Sequence, residues 1–401
     1  MGQDGKPIPK GERTVNIQKI ERTAEGYLRN REITGGILIV RRGSEVLYRQ
    51  AWGYADAASR KPVSYDHLWR MMSMTKPVTA AAVMQLAERG LIDIDRPVSD
   101  WIPAFGSPRV ADDDRYRGED PFRNRDGFTP GDVKTVPASR PMTARDLLTH
   151  TSGLEQGPVG QMCGAFRGER RTLADVVEHY AAWPLDFDPG TQTGYSPQAG
   201  FDVLLRLAEI VSDMPAGEYL RKNLFDPLEM ESACFFPSPE DLARTVALVR
   251  RENGDLLDVT EEGEVYGHLA LLGSSYTAGG AGLYATAEDY DHFTEMLACE
   301  GERKGIRVLK PETVRLMRTE APYRKFGGGC VWGLGMMIRK DPVLTGSPCP
   351  AGSFGWSGAF GTHFVVSPSD GTSFTWVTNR TDLNGSSSYI SAKMEELVYG
   401  E

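Results

Sequence analysis

The chain has 401 residues, 40% of them hydrophobic and 25% charged, with a formal net charge of −10. That length favours two structural lobes over one simple core, and the composition is that of an ordinary globular protein rather than a disordered one. The acidic balance argues against a phosphate-backbone partner, which needs clustered Lys and Arg, and offers no attraction to anionic lipid, so no nucleic acid and no membrane is expected as partner.

The five cysteines, Cys163, Cys234, Cys299, Cys330 and Cys349, are odd in number, far apart and without a C-x-x-C pair. They fit reduced thiols in a cytoplasmic protein better than a disulfide framework or a zinc knuckle. The opening Met-Gly-Gln-Asp-Gly-Lys lacks both an apolar h-region and a Ser or Thr at position 6. No signal peptide or myristoylation is therefore predicted. No apolar run is long enough to span a bilayer.

Residues 14–31 read as an amphipathic helix with Ile17, Ile20, Ala24, Tyr27 and Leu28 on one face, ended by Gly35-Gly36. Ile37 to Val40 and Val46 to Tyr48 flank Arg41-Arg42-Gly43-Ser44 as a β-hairpin. A helix follows from about Ser73 to Arg89, closed by Gly90. Residues 104–140, rich in Asp, Arg, Gly and Pro and without periodicity, read as a long surface excursion or lid.

From 142 to 300 the patterns are mostly helical, as in Thr172 to Trp183, Phe201 to Val211 and Ala287 to Cys299. Beyond that the period becomes strand-like over Val331 to Ile338, Gly352 to Val366 and Thr372 to Thr378, with a turn at residues 367–371. A last helix spans about Ser387 to Tyr399. Strand signals at both ends and helices between them predict an α/β (α+β) fold. Its antiparallel sheet is built from both chain ends (residues 1–90 and 300–401) and flanked by terminal helices, and a mostly helical lobe (91–299) is inserted. A cleft between two such lobes is where a small-molecule site is expected.

Ser73-Met74-Thr75-Lys76 is the only S-x-x-K in the chain. Pro77 follows directly, and proline is tolerated in a helix only in its first turn, so the helix begins near Ser73. Ser73 and Lys76, at i and i+3, then share a face. A serine hydroxyl is a weak nucleophile until a base takes its proton, and a lysine serves as that base where burial or a neighbouring cation disfavours its charge. The tetrapeptide alone equally fits an N-capping serine followed by a solvated lysine.

Further segments change the balance. They are Leu147-Leu148-Thr149-His150-Thr151-Ser152-Gly153-Leu154, Pro189-Gly190 leading to Tyr195-Ser196, Gly279-Gly280-Ala281-Gly282-Leu283, and Gly355-Trp356-Ser357-Gly358. In order and spacing after Ser-Met-Thr-Lys-Pro-Val-Thr, they resemble the serine β-lactamase-like superfamily, and most of all the family VIII carboxylesterases, which are similar in fold to class C β-lactamases. The resemblance runs from about residue 15 to 398. It implies that Ser73 is the nucleophile that becomes acylated, that Lys76 is its proton acceptor, and that Tyr195 is a proton shuttle or phenolate. It implies that the strand motif Trp356-Ser357-Gly358 stands where β-lactamases carry Lys-Thr-Gly. The backbone N–H groups of Ser73 and Ala359 would then form the oxyanion hole. Taken without the resemblance, Tyr195 reads as a half-buried tyrosine with a satisfied hydroxyl, and Trp356 as core packing.

Two departures bear on substrate. Tyr-x-Asn is here Tyr195-Ser196-Pro197, and the Lys of Lys-Thr-Gly is replaced by Trp356. Both losses point away from β-lactams and D,D-peptides and toward esters. The expected activity is a carboxylesterase acting on small or short-chain esters. The alternatives are an amidase or β-lactam hydrolase and an acyltransferase using the same Ser/Lys/Tyr site, and, outside enzymes, a binding homologue that kept the fold.

Rival signals are weaker. Gly355-Trp356-Ser357-Gly358-Ala359 nearly matches G-x-S-x-G, but a nucleophile elbow needs a helix after its strand, and the sequence stays β-rich. Gly279-Gly280-Ala281-Gly282 lacks a P-loop lysine and reads as a turn before a Thr286-capped helix. The six histidines, His67, His150, His179, His268, His292 and His363, show no metal-binding spacing, so no metal and no cofactor is expected, and His150 reads as a structural hydrogen-bonding residue.

Overall fold

The computed structural model describes residues 15–116, 130–162, 172–262, 276–319 and 325–400. Cys163, His268 and the middle of the excursion, residues 117–129, lie outside them.

Among the described residues, nine strands form one antiparallel sheet. The N-terminal part supplies β1 (Gly35–Arg42), β2 (Glu45–Asp56) and β3 (Lys61–Pro62). The C-terminal part supplies β4 (Lys325–Gly327), β5 (Cys330–Trp332), β6 (Met337–Arg339), β7 (Ser353–Ser357), β8 (His363–Val366) and β9 (Thr372–Val377). Their order is β4-β5-β6-β7-β8-β9-β1-β2-β3, so the two chain ends join at the β9–β1 pair, where Ile37 lies opposite Val377 and Val40 opposite Phe374. The helices that matter for the site are α1 (Ile17–Arg29), α2 (Thr75–Glu88), α3 (Ala144–Leu148), α4 (Leu173–Ala181), α5 (Ala199–Ser212), α6 (Ala287–Ala298) and α7 (Tyr389–Tyr399).

Both faces of the sheet are covered, so its central strands read as continuous apolar runs instead of alternating ones. Leu38, Val40, Val365, Phe374 and Trp376 pack with Ile20 and Ala24 of α1 and with Ile390, Met394 and Leu397 of α7. Ile37, Ile39, Phe354, Trp356 and Phe364 point the other way, into the larger core that holds α2 and α5. Glu21 fixes α1 to the sheet by accepting from Trp52 Nε1 at 2.9 Å and from the Tyr48 hydroxyl.

α2 is buried from Thr75 to Leu86 on every side, and it has no amphipathic stripe because it has no solvent face. It packs along α5. α6, within the segment predicted as an inserted helical lobe, lies on the sheet against β1, β8 and β9. A capping box of Thr286 and Asp289 starts it, and the buried Arg41 of β1 holds it through Asp291 (2.5 Å) and Glu295 (3.3 Å). The excursion at 104–140 is not wholly irregular: Arg109–Ala111 and Thr135–Pro137 pair as a short antiparallel ladder at its base.

On the terminal-helix face, Glu395 of α7 binds Arg339 of β6 and accepts from His363 Nε2 of β8 at 3.0 Å. His363 Nδ1 in turn lies 2.7 Å from Ser357 Oγ of β7. Burial works against the carboxylate, yet Arg339 and His363 hold Glu395 well below the usual range, while burial pushes His363 down. Removing one member of a buried charged network leaves the others uncompensated. Glu395→Ala should therefore lower the unfolding free energy by about 3–5 kcal/mol, read from urea denaturation.

Candidate active site

The segment before α2 sets the position of Ser73. Residues Met72–Met74 form a 3-10 turn that runs into α2, and Met72 sits at φ +49°, a left-handed conformation that costs a non-glycine residue on the order of 1 kcal/mol or more. Neither this turn nor α2 has a side-chain cap, so Ser73 is not an N-capping serine. Ser73 is partly exposed, whereas Lys76, one turn on, is fully buried.

Lys76 Nζ donates three hydrogen bonds: to the Pro197 carbonyl at 2.5 Å, to the Gly280 carbonyl at 2.8 Å and to Ser73 Oγ at 3.3 Å. An ammonium has three donors, so every one is used. The two carbonyls fix the nitrogen, and the longest of the three bonds points at Ser73 Oγ.

Those carbonyls come from segments that must approach closely. A Cβ on Gly280 would lie 2.7 Å from Gln198 Cα and 2.9 Å from the Pro197 carbonyl oxygen, and one on Gly279 would lie 2.4 Å from the Phe201 carbonyl oxygen. The Gly279-Gly280 pair, read from the sequence as a simple turn, is the surface on which the start of α5 rests. It is tied to α2 as well: Thr79 Oγ1 donates to the Gly279 carbonyl at 2.8 Å, and Leu283 N donates to Thr75 Oγ1 at 3.1 Å.

Tyr195 joins the pair. Lys76 Nζ is 4.9 Å from its ring centroid, and its hydroxyl oxygen accepts from Trp356 Nε1 at 3.3 Å. The Tyr195 ring packs against His150 (centroids 4.8 Å apart) and Trp356 (5.5 Å), and Trp332 closes the group 4.5 Å from Trp356 and 4.6 Å from His150. His150 makes hydrogen bonds to the backbone around Tyr195. Its Nδ1 accepts from Ser196 N at 3.1 Å, and its carbonyl accepts from Gly194 N (3.3 Å) and Thr193 Oγ1 (3.1 Å). It thus holds the backbone on both sides of Tyr195. Burial, reinforced by the charge of Lys76, pushes its pKa well down, so the ring is neutral.

Trp356 and Ser357 part company. Trp356 faces the site, and the strand's alternation turns Ser357 to the opposite face, where its hydroxyl meets His363. The Ser357 side chain, expected among the substrate-binding groups, therefore lines the other side of the sheet. Gly358 abuts the nucleophile segment: a Cβ there would lie 2.3 Å from the Met71 carbonyl oxygen, which also accepts from Thr362 Oγ1 at 3.1 Å. The turn carrying Ala359 is thereby held beside the residue pair 71–72, and Ala359 packs in a small cluster with Met72 and Phe360.

Two buried carboxylates behind the site escaped the sequence reading. Glu155, also left-handed at φ +54°, accepts from Ala199 N (2.7 Å), Gln198 N (2.8 Å) and Ser196 Oγ (3.0 Å) at the start of α5. Asp202, one turn into α5, accepts from Tyr276 Oη at 3.0 Å, Gly280 N at 3.3 Å and Tyr180 Oη at 3.4 Å. An acid buried on the first turn of a helix is only a weak sequence signal, and nothing in the sequence pairs it with Gly280.

A sheet built from both chain ends, with a serine and a buried lysine at the start of a central helix, defines the class: the serine β-lactamase fold. The Beta-lactamase family model matches residues 20–398, and the chain belongs to that family. It is 30% identical to esterase EstB of Burkholderia gladioli over 95% of this chain and 94% of the relative. It is 32% identical to protein Rv1367c of Mycobacterium tuberculosis (strain ATCC 25618 / H37Rv) over 84% and 83% of the two chains. Among solved structures, EstCE1, a hydrolase with promiscuous acyltransferase activity, superposes with a TM-score of 0.78 at 24% identity, covering 96% of this chain and 98% of that one. The chain is a serine hydrolase of this fold.

Gly280→Ala tests the close approach. Its methyl must displace the Pro197 carbonyl or the backbone of Gln198, both part of the lysine cradle. The rate of Ser73 labelling by a fluorophosphonate should fall about a hundredfold, as for a displacement of about 1 Å at a reacting group. The melting curve should remain that of a folded protein.

Proposed function

We propose that the protein is a carboxylesterase that turns over small-molecule esters through an acyl-enzyme on Ser73. The observation that carries this reading is the contact of the half-buried Ser73 hydroxyl with an amine whose other two bonds go to backbone carbonyls. The similarity to EstB, an esterase by name, over nearly the whole chain supports the ester as substrate class.

The steps follow from the positions. With Lys76 as neutral amine, Ser73 Oγ attacks the ester carbonyl and its proton passes to Nζ. The carbonyl oxygen, now negative, is bound by the backbone N–H groups of Ser73 and Ala359. The intermediate collapses, the C–O bond to the alcohol breaks, and the leaving alkoxide takes a proton delivered from Lys76 through the Tyr195 hydroxyl. Water then enters on the vacated side, loses a proton along the same route and releases the acid, regenerating Ser73.

Trp356, with the fully buried Trp332 packed behind it, puts an aromatic wall where a β-lactamase-type site would carry a lysine. An aromatic wall offers a substrate carboxylate no charge partner and suits an uncharged ester.

Hydrolysis of a short-chain aryl ester measures this. Ser73→Ala should abolish turnover and labelling by a fluorophosphonate, while Lys76→Ala and Tyr195→Phe should each lower kcat/KM by at least about a hundredfold. Equal activity of Ser73→Ala and the natural protein would overturn the proposal. Product analysis with added alcohols reports whether the acyl group goes to water or to another acceptor, and nitrocefin turnover reports amide hydrolysis.

A further inference from the structure

Lys76 is a buried amine with no carboxylate bonded to its nitrogen: its partners are two carbonyls and a hydroxyl. The carboxylates closest to it in the hydrogen-bond network are each one residue removed. Glu155 accepts three bonds at the start of α5, from Ser196 Oγ, Gln198 N and Ala199 N, and Gln198 follows the Pro197 whose carbonyl holds Lys76. Two of the three donors are backbone N–H groups of fixed direction, and the carboxylate is committed to the helix end.

Asp202 is placed differently. It is fully buried, and its one backbone donor is Gly280 N, from the same residue whose carbonyl accepts from Lys76. The chain Lys76 Nζ, Gly280, Asp202 therefore links amine and carboxylate through a single glycine. The other two partners, Tyr276 and Tyr180, present hydroxyls, and a hydroxyl both donates and accepts. A carboxyl so surrounded is accommodated either ionised or protonated, more readily than one held by a pair of fixed backbone N–H donors.

We propose that Asp202 is a positioning residue of the acylation machinery: through Gly280 it holds the carbonyl that anchors Lys76, and its charge sets the pH range in which Ser73 becomes reactive. This rests on the reading of Lys76 as the base for Ser73.

The groups facing Asp202 come from every element packed on it. They are Lys76 of α2, Glu155 in the loop after α3, Tyr180 of α4, Gln198 at the start of α5, and Tyr276 ahead of the glycine loop. Burial, with Glu155 adding to it, pushes Asp202 up to about 7, against the pull of Tyr276, Gly280 and Lys76. The group thus changes charge near neutral pH. Asp202 and Lys76 attract one another when both are charged, an attraction that a neutral group at the same place removes, and an ammonium cannot take a proton from Ser73.

The test is the pH dependence of Ser73 labelling by a fluorophosphonate in the full-length natural protein and in Asp202→Asn. The amide keeps the length of the side chain and an oxygen for Gly280 N but carries no charge. The midpoint of the acid limb should move to lower pH by about one unit, the lower end of what an opposite charge close by produces. Tyr276→Phe, which removes the shortest bond to the ionised form, should shift it in the same direction by less, and serves if Asp202→Asn does not fold by its melting curve.

A loss of rate at all pH values with an unmoved midpoint in a folded variant, or curves that superimpose on the natural protein, would overturn the proposal. Absence of labelling in the natural protein at every pH, or labelling that persists in Ser73→Ala, would instead refute the role given to Ser73 itself.

Discussion

A lysine nitrogen with no contact to water must find acceptors for all its protons inside the protein. Lys76 finds them in two backbone carbonyls from opposite sides, Pro197 at the start of α5 and Gly280 in the glycine loop, and the rest of the site is arranged around that requirement. For both carbonyls to reach one nitrogen, two backbones must pass at a separation no side chain allows, hence Gly279 and Gly280. For the nitrogen to stay dry, α2 must be enclosed on every face, hence its lack of a polar stripe. The third proton is left for Ser73, which is partly exposed. Position and chemistry are thus set by one constraint: the lysine is buried because it is central, and it touches the serine because nothing else is left for it to touch.

The sheet contributes through β7, whose two faces do different jobs. Trp356 stands against Tyr195 and Trp332 in the site, while its neighbour Ser357 reaches through the sheet to His363, Glu395 and Arg339 beneath α7. The second set anchors the strand that carries the first. The buried ion pair and the neutral histidine make β7 costly to displace, so the aromatic wall and the turn at Gly358 and Ala359 are held by contacts that never meet substrate. The replacement of a lysine by Trp356 is therefore a change of what the strand presents, made without altering how it is held.

Much of this is legible in the sequence, and the divide follows a physical line. α1, the β1–β2 hairpin and α5 announce themselves through periodicity and α2 through Pro77 and Gly90 at its ends, and the assembly of one sheet from both chain ends follows from where strand signals fall. The placement of α6 on the sheet does not, because a helical pattern says which face is apolar and not which partner covers it; Arg41 and Asp291 meet across most of the chain's length. Motif and spacing single out Ser73, Lys76 and Tyr195, and the structure brings Lys76 into contact with the other two. The carbonyls of Pro197 and Gly280 could not be singled out so, since every residue has a carbonyl and only the fold selects which ones converge. The turn of Ser357 away from the site was in principle available from strand alternation, because Trp356 and Ser357, as neighbours in a strand, cannot face the same side. Asp202 carries no signature beyond an acid on the first turn of a helix, a place where acids are common for reasons unconnected with catalysis.

Three residues around the site, Met72, His150 and Glu155, hold left-handed backbone without being glycine. Each is followed closely by a group whose direction matters: Met72 precedes Ser73, His150 binds the backbone on both sides of Tyr195, and Glu155 fixes the start of α5 and so Pro197. A glycine would relieve the strain at any of them but would also release the chain to other conformations. A side chain forced into this region stays there only while its surroundings over-determine it. The side chains do that work here: Met72 is buried with Phe360 and Ala281, His150 is wedged among Tyr195, Phe201 and Trp332, and Glu155 is bound by three donors. The packed core beneath the cleft thus stabilises the site in a specific way, by keeping three unfavourable backbone angles in place so that a serine, a phenol and a carbonyl all face the same amine.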